Sequence, residues 1–252
     1  MSSSSRAAPE RARLLALLLL AAVAPPAFSD GAGNKCGPAP GPGRAHYIVG
    51  YGSLMQDESR ERTSPHAGAA HPVEIAGFKR GWFAHGASVG FSTTFLGVLP
   101  DRGSRMNAVI YQVDADELTA TDGRERSYCR TGVAPEDVNP LEPGATSAPD
   151  GQIWIYVSRP GSVTLPSSKY PIVQSYVDVF LSGCLEQQER YGLSGFAAQC
   201  IATTTGWSAH WLNDRIYPRR PFVYQPRAGQ IDRLLSTQLP HYFARIKIEG
   251  GG

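Results

Sequence analysis

Groups that commit a protein to metal chemistry are scarce in this chain. It has four cysteines, none in a CxxC pair, and six scattered histidines with no ligand spacing among them, so no zinc site is expected. No GxSxG elbow occurs: Ser53 sits in Gly-Tyr-Gly-Ser-Leu, with no glycine two positions later. No internal repeat is present. Past the first thirty residues, no apolar run approaches the roughly 20 residues a membrane span needs, and a soluble mature chain is expected.

The first residues read as an address. Arg6, Arg11 and Arg13 precede an almost unbroken Leu/Ala run, Leu14 to Val23, which Pro25 and Pro26 break. Ala27-Phe28-Ser29 places small residues where a signal peptidase reads, so a secretory leader over 1–29, cut before Asp30, is expected. The alternative is an organellar transit peptide, given Ser2 to Ser5 and few acids. Removing three arginines and one glutamate with that leader leaves 21 basic and 21 acidic residues. A neutral chain offers no general field for nucleic acid or anionic lipid. Arg215, Arg219 and Arg220 form a small cluster, read as a solvated or ion-paired face. An even cysteine count behind a leader points to two disulfides with three possible connectivities. The short separation favours Cys184 with Cys200, which leaves Cys36 with Cys129.

Residues 30–45 are a Gly/Pro-rich linker. From 46 to about 160 the pattern is of short strands, at Tyr47–Val49, Val73–Ile75, Gly81–Ala84, Phe95–Leu99, Asn107–Val113 and Gln152–Val157. One helix interrupts them, capped by Asp114 and running towards Glu125. Residues 134–151, rich in Pro and Gly, read as a loop. From 161 to 252 a helical extension is expected. Pro171 opens an amphipathic helix carrying Ile172, Tyr176, Phe180 and Cys184 on one face and ending near Gly192. Trp207, Trp211 and Ile216 suggest another helix, closed by Pro218. The fold class is therefore α+β, with a closed or nearly closed small mixed barrel followed by helices.

Two segments carry chemistry. Tyr51-Gly52-Ser53-Leu54 follows the first apolar strand, and a glycine loop there can aim several backbone N–H groups at one oxygen. Asp122-Gly123-Arg124-Glu125-Arg126-Ser127-Tyr128 gathers four charges beside an aromatic residue. Alone, the first reads as a structural turn and the second as a solvated helix end.

Together, in this order, they resemble the γ-glutamylcyclotransferase superfamily over roughly residues 46–157. The Tyr51-Gly52-Ser53-Leu54 loop is similar to that family's substrate-cradling motif, and Asp122-x-Arg124-Glu125-x-x-Tyr128 to its second motif. Val73-x-Ile75-x-Gly77-Phe78-Lys79-Arg80-x-Trp82 and Asn107–Tyr111 resemble the strands between them. Leu54 stands where mammalian-type members have Asn, which leans towards the glutathione-specific, ChaC-like branch.

The resemblance implies a small-molecule γ-glutamyl substrate, no cofactor and no metal, because the substrate's own amine is the nucleophile. It implies Glu125 as general acid/base, with Tyr51, Gly52, Ser53, Leu54 and Tyr128 binding substrate. Asp122 is expected to support the helix and orient Arg124. Two other readings stay open: a non-catalytic secreted binding module on the same fold, and a γ-glutamyl hydrolase or acyltransferase. Oligomeric state is not readable.

Overall fold

The computed structural model describes residues 37–88, 91–159, 161–220 and 225–248. The expected leader, Cys36 and the start of the linker lie outside them. In chain order the strands and helices are β1 (His46–Gly50), α1 (Asp57–Glu61), β2 (His71–Ser88), β3 (Phe91–Val113), α2 (Ala115–Arg124), β4 (Tyr128–Val133), β5 (Val138–Pro140) and β6 (Gln152–Ser158). There follow β7 (Ile172–Val173), α3 (Gln174–Tyr191), α4 (Phe196–Ala202), β8 (Thr204–Thr205), β9 (Trp211–Asn213), α5 (Ala228–Gln238), α6 (Pro240–Phe243) and β10 (Lys247–Ile248). Short 3₁₀ turns occupy Ser53–Met55 and Pro135–Asp137. No described helix is long and apolar enough to cross a membrane.

β1 is the apolar run at the centre of the sheet, antiparallel to β3 and parallel to β6. Central strands are covered on both faces, which is why His46-Tyr47-Ile48-Val49 reads as continuous rather than alternating. The order is β4-β6-β1-β3-β2-β5, with β8 added to β2, making a mixed seven-stranded sheet. Its faces bury different clusters with the period of two that strands impose. Val49, Ile153, Ile155 and Val157 join Ile75, Met106 and Ile110 in one. Ile48, Trp154 and Tyr156 join Leu96, Tyr111 and the apolar side of α3 in the other. The fold class is α+β, as expected. The sheet curls as a half barrel: its path ends at β4 and β5, which do not pair with each other.

Three details depart from the sequence reading. The short strands expected at 73–75 and 81–84 are one strand, β2, and those at 95–99 and 107–113 are one strand, β3. Gly77, just past the strand expected at 73–75, takes φ 80° at a register shift between Ala76 and Phe78. A positive-φ glycine bulge bends a strand without ending it. Within the loop expected at 134–151, β5 pairs with β2 over three residues.

The third departure is at 207–218, which is not helical. Trp211 and Leu212 pair in parallel with Ile172 and Val173, and the β7–β9 pair extends to β10 in a second, three-stranded sheet. Trp207 stacks on Trp211 with centroids 5.2 Å apart. Four-residue spacing of tryptophans mimics a helix face, and only the distant strand at 172 decides otherwise.

The long helix expected to open at Pro171 is present as α3 but starts at Gln174, Ile172 lying in β7, and it is closed by Gly192 in the left-handed conformation (φ 63°). Its face carries Tyr176, Val177, Phe180, Leu181 and Cys184, all buried. At about 1.5–3 kcal/mol per large apolar side chain, that stripe is a main source of adhesion between α3 and the sheet. Cys184 and Cys200 form the expected disulfide, tying α3 to α4. Cys129 is also disulfide-bonded; its expected partner, Cys36, lies outside the described residues.

Candidate active site

The two sequence segments meet at the open end of β1. Past Gly50 the chain turns through Tyr51 and Gly52 into the 3₁₀ turn, closed by Met55 N–H to Gly52 O at 3.0 Å. Among the described residues, no main-chain carbonyl accepts from the N–H groups of Gly52, Ser53 or Leu54. Gly52 is not at positive φ (−129°, ψ −122°). The need for glycine there is spatial: a Cβ would lie 2.9 Å from the Tyr176 hydroxyl. The close approach expected for a ligand is made here by a side chain of α3.

α2 begins with the expected cap in full form. The Asp114 carboxylate accepts from Glu117 N–H at 2.8 Å, and Glu117 reaches back to Asp114 N–H at 3.3 Å. The helix delivers Arg124 in its last turn and Glu125 as its C-terminal cap. Arg124 donates to Ser59 O (2.7 Å), Thr63 Oγ1 (2.9 Å), Ser53 Oγ (2.9 Å) and Ser59 Oγ (3.1 Å), while its Nε pairs with Glu125 Oε1 at 3.2 Å. All its donors are in use. One guanidinium thus holds the Ser53 hydroxyl and the Glu125 carboxylate at two of its edges.

Glu125 has a side chain only 15% exposed. Burial pushes its carboxyl pKa above the usual carboxylate range, against the opposing pull of Arg124 and Arg220. Asp122 does not orient Arg124. Its two oxygens take Arg130 Nη1 and Tyr156 Oη, each at 2.7 Å, because β4 and β6 bring those groups to the outer side of the helix end.

The predicted aromatic residues are close to this carboxylate, with both phenols in use. Tyr51 Oη donates to Tyr156 O at 2.6 Å and Tyr128 Oη to Leu96 O at 3.0 Å. Burial raises both phenol pKa values, and Glu125 adds to each rise. Tyr51 is in the sheet core; Leu54 is buried too, in the cluster shared with α3.

Sequence reasoning missed the contribution of the C-terminal part. Tyr176 stands against Gly52, with the Ser53 main chain beside its oxygen, and burial raises its pKa. It meets Phe95 and Trp82 edge to face, at 5.1 Å and 5.9 Å. Arg220 lies over the rings of Phe95 and Tyr176, at 5.6 Å and 5.8 Å. Tyr176 was legible only as one member of a helical stripe, and Arg220 only as one of three clustered arginines.

Behind the loop, fully buried Arg80 donates to Tyr51 O (3.2 Å), Asn107 O (2.8 Å), Asn107 Oδ1 (3.1 Å), Cys200 O (2.8 Å), Thr203 Oγ1 (2.8 Å) and Thr204 Oγ1 (2.8 Å). It joins the site loop, β3 and the end of α4 through one side chain.

A cavity of about 170 Å³ opens against this cluster, lined by Gln56, Ser59, Thr63, Arg124, Val179 and Arg220. A larger one, about 470 Å³, lies between Tyr47, His71, Gln112 and Glu142, and neither cavity is lined by Tyr51, Gly52, Ser53, Leu54, Glu125 or Tyr128. No group of three or more metal-ligating side chains occurs among the described residues. The arrangement can therefore accept and return a proton at a largely buried carboxylate beside a loop whose Gly52 and Leu54 N–H groups meet no main-chain carbonyl.

No protein-family model matches the sequence, and no curated protein matches it significantly. Solved structures give looser likenesses. A structure described as a gamma-glutamyl cyclotransferase is 12% identical, with a TM-score of 0.48, over 77% of this chain and 99% of that one. An uncharacterized protein from Homo sapiens is 14% identical, with a TM-score of 0.49, over 66% and 92%. A glutathione-specific gamma-glutamyl cyclotransferase from yeast is 10% identical, with a TM-score of 0.41, over 64% and 97%. At these values the likeness carries no argument about the reaction, which rests on the residues of this chain.

Proposed function

We propose that this protein is a γ-glutamylcyclotransferase, releasing 5-oxoproline from a γ-glutamyl peptide, γ-glutamyl amine or glutathione. The observation that carries the reading is a largely buried carboxylate of raised pKa, Glu125, held by Arg124 to Ser53 of a loop whose Gly52 and Leu54 N–H groups meet no main-chain carbonyl.

In the proposed reaction, Glu125 takes a proton from the donor's α-ammonium. The freed amine attacks the γ-carbonyl carbon, and a C–N bond closes the five-membered ring. Negative charge moves onto the carbonyl oxygen, where the N–H groups of Gly52, Ser53 and Leu54 stabilise it. Collapse breaks the original amide bond as Glu125 returns its proton to the leaving amine, and the second proton, shed by the ring nitrogen, goes to the same amine, which departs as an ammonium. Atoms balance without water, cofactor or metal: one γ-glutamyl compound yields 5-oxoproline and a free amine. A carboxylate with raised pKa is a stronger base than an exposed one and a better matched acid for the second step. Ser53 is not the nucleophile in this scheme; its hydroxyl oxygen accepts from Arg124.

The leader read at 1–29 supports secretion as the accompanying proposal. Incubating the chain from Asp30, with its disulfides formed, with γ-glutamyl dipeptides, γ-glutamyl amines and glutathione tests the reaction by product mass. 5-Oxoproline is expected. Free glutamate would replace cyclisation with hydrolysis, and no product from folded protein would leave a binding module.

A further inference from the structure

Arg220 differs from the other half-buried arginines around it. Arg124 has every donor engaged within the site. Arg215 lies between two carboxylates, Asp178 and Asp232. The Arg220 guanidinium accepts neither arrangement: among the described residues no hydrogen-bond acceptor and no carboxylate pairs with it, and its contacts are the faces of Phe95 and Tyr176.

Its main chain, by contrast, is held firmly. Arg220 N–H donates to Ser175 Oγ at 3.2 Å. Ser175 donates through its N–H and hydroxyl to the two oxygens of Asp214, at 2.8 Å and 2.6 Å, and Arg219 N–H reaches the same carboxylate at 2.8 Å. Ser175 and Asp214 are both buried. This knot fastens the 214–220 loop to the first turn of α3, next to Tyr176. Arg220 also lines the cavity, together with Gln56, Ser59 and Arg124.

A half-buried guanidinium without acceptors is costly, since burial removes water that aromatic faces only partly replace. The same burial lowers its pKa. The groups that act on it are Tyr176, Arg124, Glu125 and Tyr128, and none of them is within hydrogen-bonding reach. A planar fork of free N–H groups is shaped for a carboxylate.

We propose that Arg220 is the carboxylate-recognition residue of this site, gripping a carboxylate of the γ-glutamyl substrate through its guanidinium fork. The proposal rests on the γ-glutamyl reading and deepens it. Two carboxylates qualify: the α-carboxylate common to every γ-glutamyl donor, and the one carried by a leaving amino acid or peptide.

The test uses Glu125→Gln protein, so that binding is read without turnover, with and without Arg220→Met. Titration calorimetry with γ-glutamylalanine, γ-glutamylethylamine and glutarate gives the affinities. Arg220→Met is expected to weaken γ-glutamylalanine by about tenfold to a hundredfold, the usual worth of a charged hydrogen-bonded contact. Equal weakening of γ-glutamylethylamine assigns the α-carboxylate; unchanged binding of that amine assigns the leaving-group carboxylate. On the active chain the loss should appear in KM with kcat nearly constant, and Arg220→Lys should recover only part of it.

Unchanged affinity for all three probes in a variant that melts like its parent would overturn the proposal while leaving the reaction intact. If γ-glutamyl compounds fail to bind but glutarate binds through Arg220, the anion site stands and the γ-glutamyl reading falls. If no probe binds, both fall. Should Arg220→Met fail to fold, Arg220→Lys decides: KM unchanged there overturns the proposal.

Discussion

Arg80 and Arg220 lie at the two ends of the site, at the seam behind the loop and over the aromatic shelf beside the cavity. Neither has a carboxylate partner, yet they are used in opposite ways. Every group Arg80 touches is neutral, and together the carbonyls and hydroxyls of three chain segments engage both of its terminal nitrogens and its Nε. Burial lowers its pKa to about 9, so it is still a cation at neutral pH. Arg220 has aromatic faces beneath it and no acceptor among the described residues. Burial and charge alone do not separate a structural arginine from one that meets a ligand; the fate of its N–H groups does.

The same contrast, between groups that hold the fold and groups left for chemistry, sets the expected effects of substitution. The largest falls on Glu125. Glu125→Gln should cut 5-oxoproline formation by about 10² to 10⁴-fold. The sign of its stability effect is the reverse of an ordinary loss. Because the folded-state pKa of Glu125 is raised, its contribution to stability is full below the unfolded pKa and is lost as pH rises through the folded value. The variant should therefore melt higher than wild type at neutral pH, with the gap closing at acid pH. In the wild type the acid limb of kcat/KM should lie above the usual carboxylate range. A variant that melts lower at pH 7 than wild type would place Glu125 among the fold's own supports.

Arg80→Met should do the opposite, leaving several buried acceptors without donors and costing about 3 kcal/mol or more in urea unfolding. If it melts normally and loses only substrate affinity, the division between the two arginines is wrong. Replacing Cys184 and Cys200 together by Ser opens a loop with a sequence separation of 16 residues and should lower stability by about 3 kcal/mol, with KM little altered. The smallest effect is expected for Asp114→Ala, about 1 kcal/mol of stability through the lost cap. A larger loss of rate than of stability would show that the start of α2 also sets the position of Glu125.

What the sequence disclosed follows the range of the forces involved. The α2 cap, the central strands, the end of α3 at Gly192 and the 184–200 disulfide depend on neighbours a few residues away or on a simple count. The placement of Glu125 beside the Ser53 loop was legible from two short motifs taken in order. β2 was read as two short strands because a glycine bulge and a strand end call for the same residue type. Trp207 and Trp211 were misread because a parallel partner nearly forty residues upstream determines their backbone. The expected role of Asp122 failed for the same reason, since Arg130 and Tyr156 come to it through strand pairing. Tyr176 and Arg220 escaped notice because no local pattern marks a side chain that reaches its target only when separate segments pack.

One contact of Arg80 reaches further than stability. Its Nη1 donates to the carbonyl oxygen of Tyr51, and that carbonyl belongs to the same peptide group as the N–H of Gly52. Drawing electron density towards the oxygen makes the nitrogen end of a conjugated amide a stronger donor. The buried cation thus polarises, through a single peptide plane, the N–H of Gly52, one of the donors the proposed reaction assigns to the developing negative charge, and does so from behind the loop.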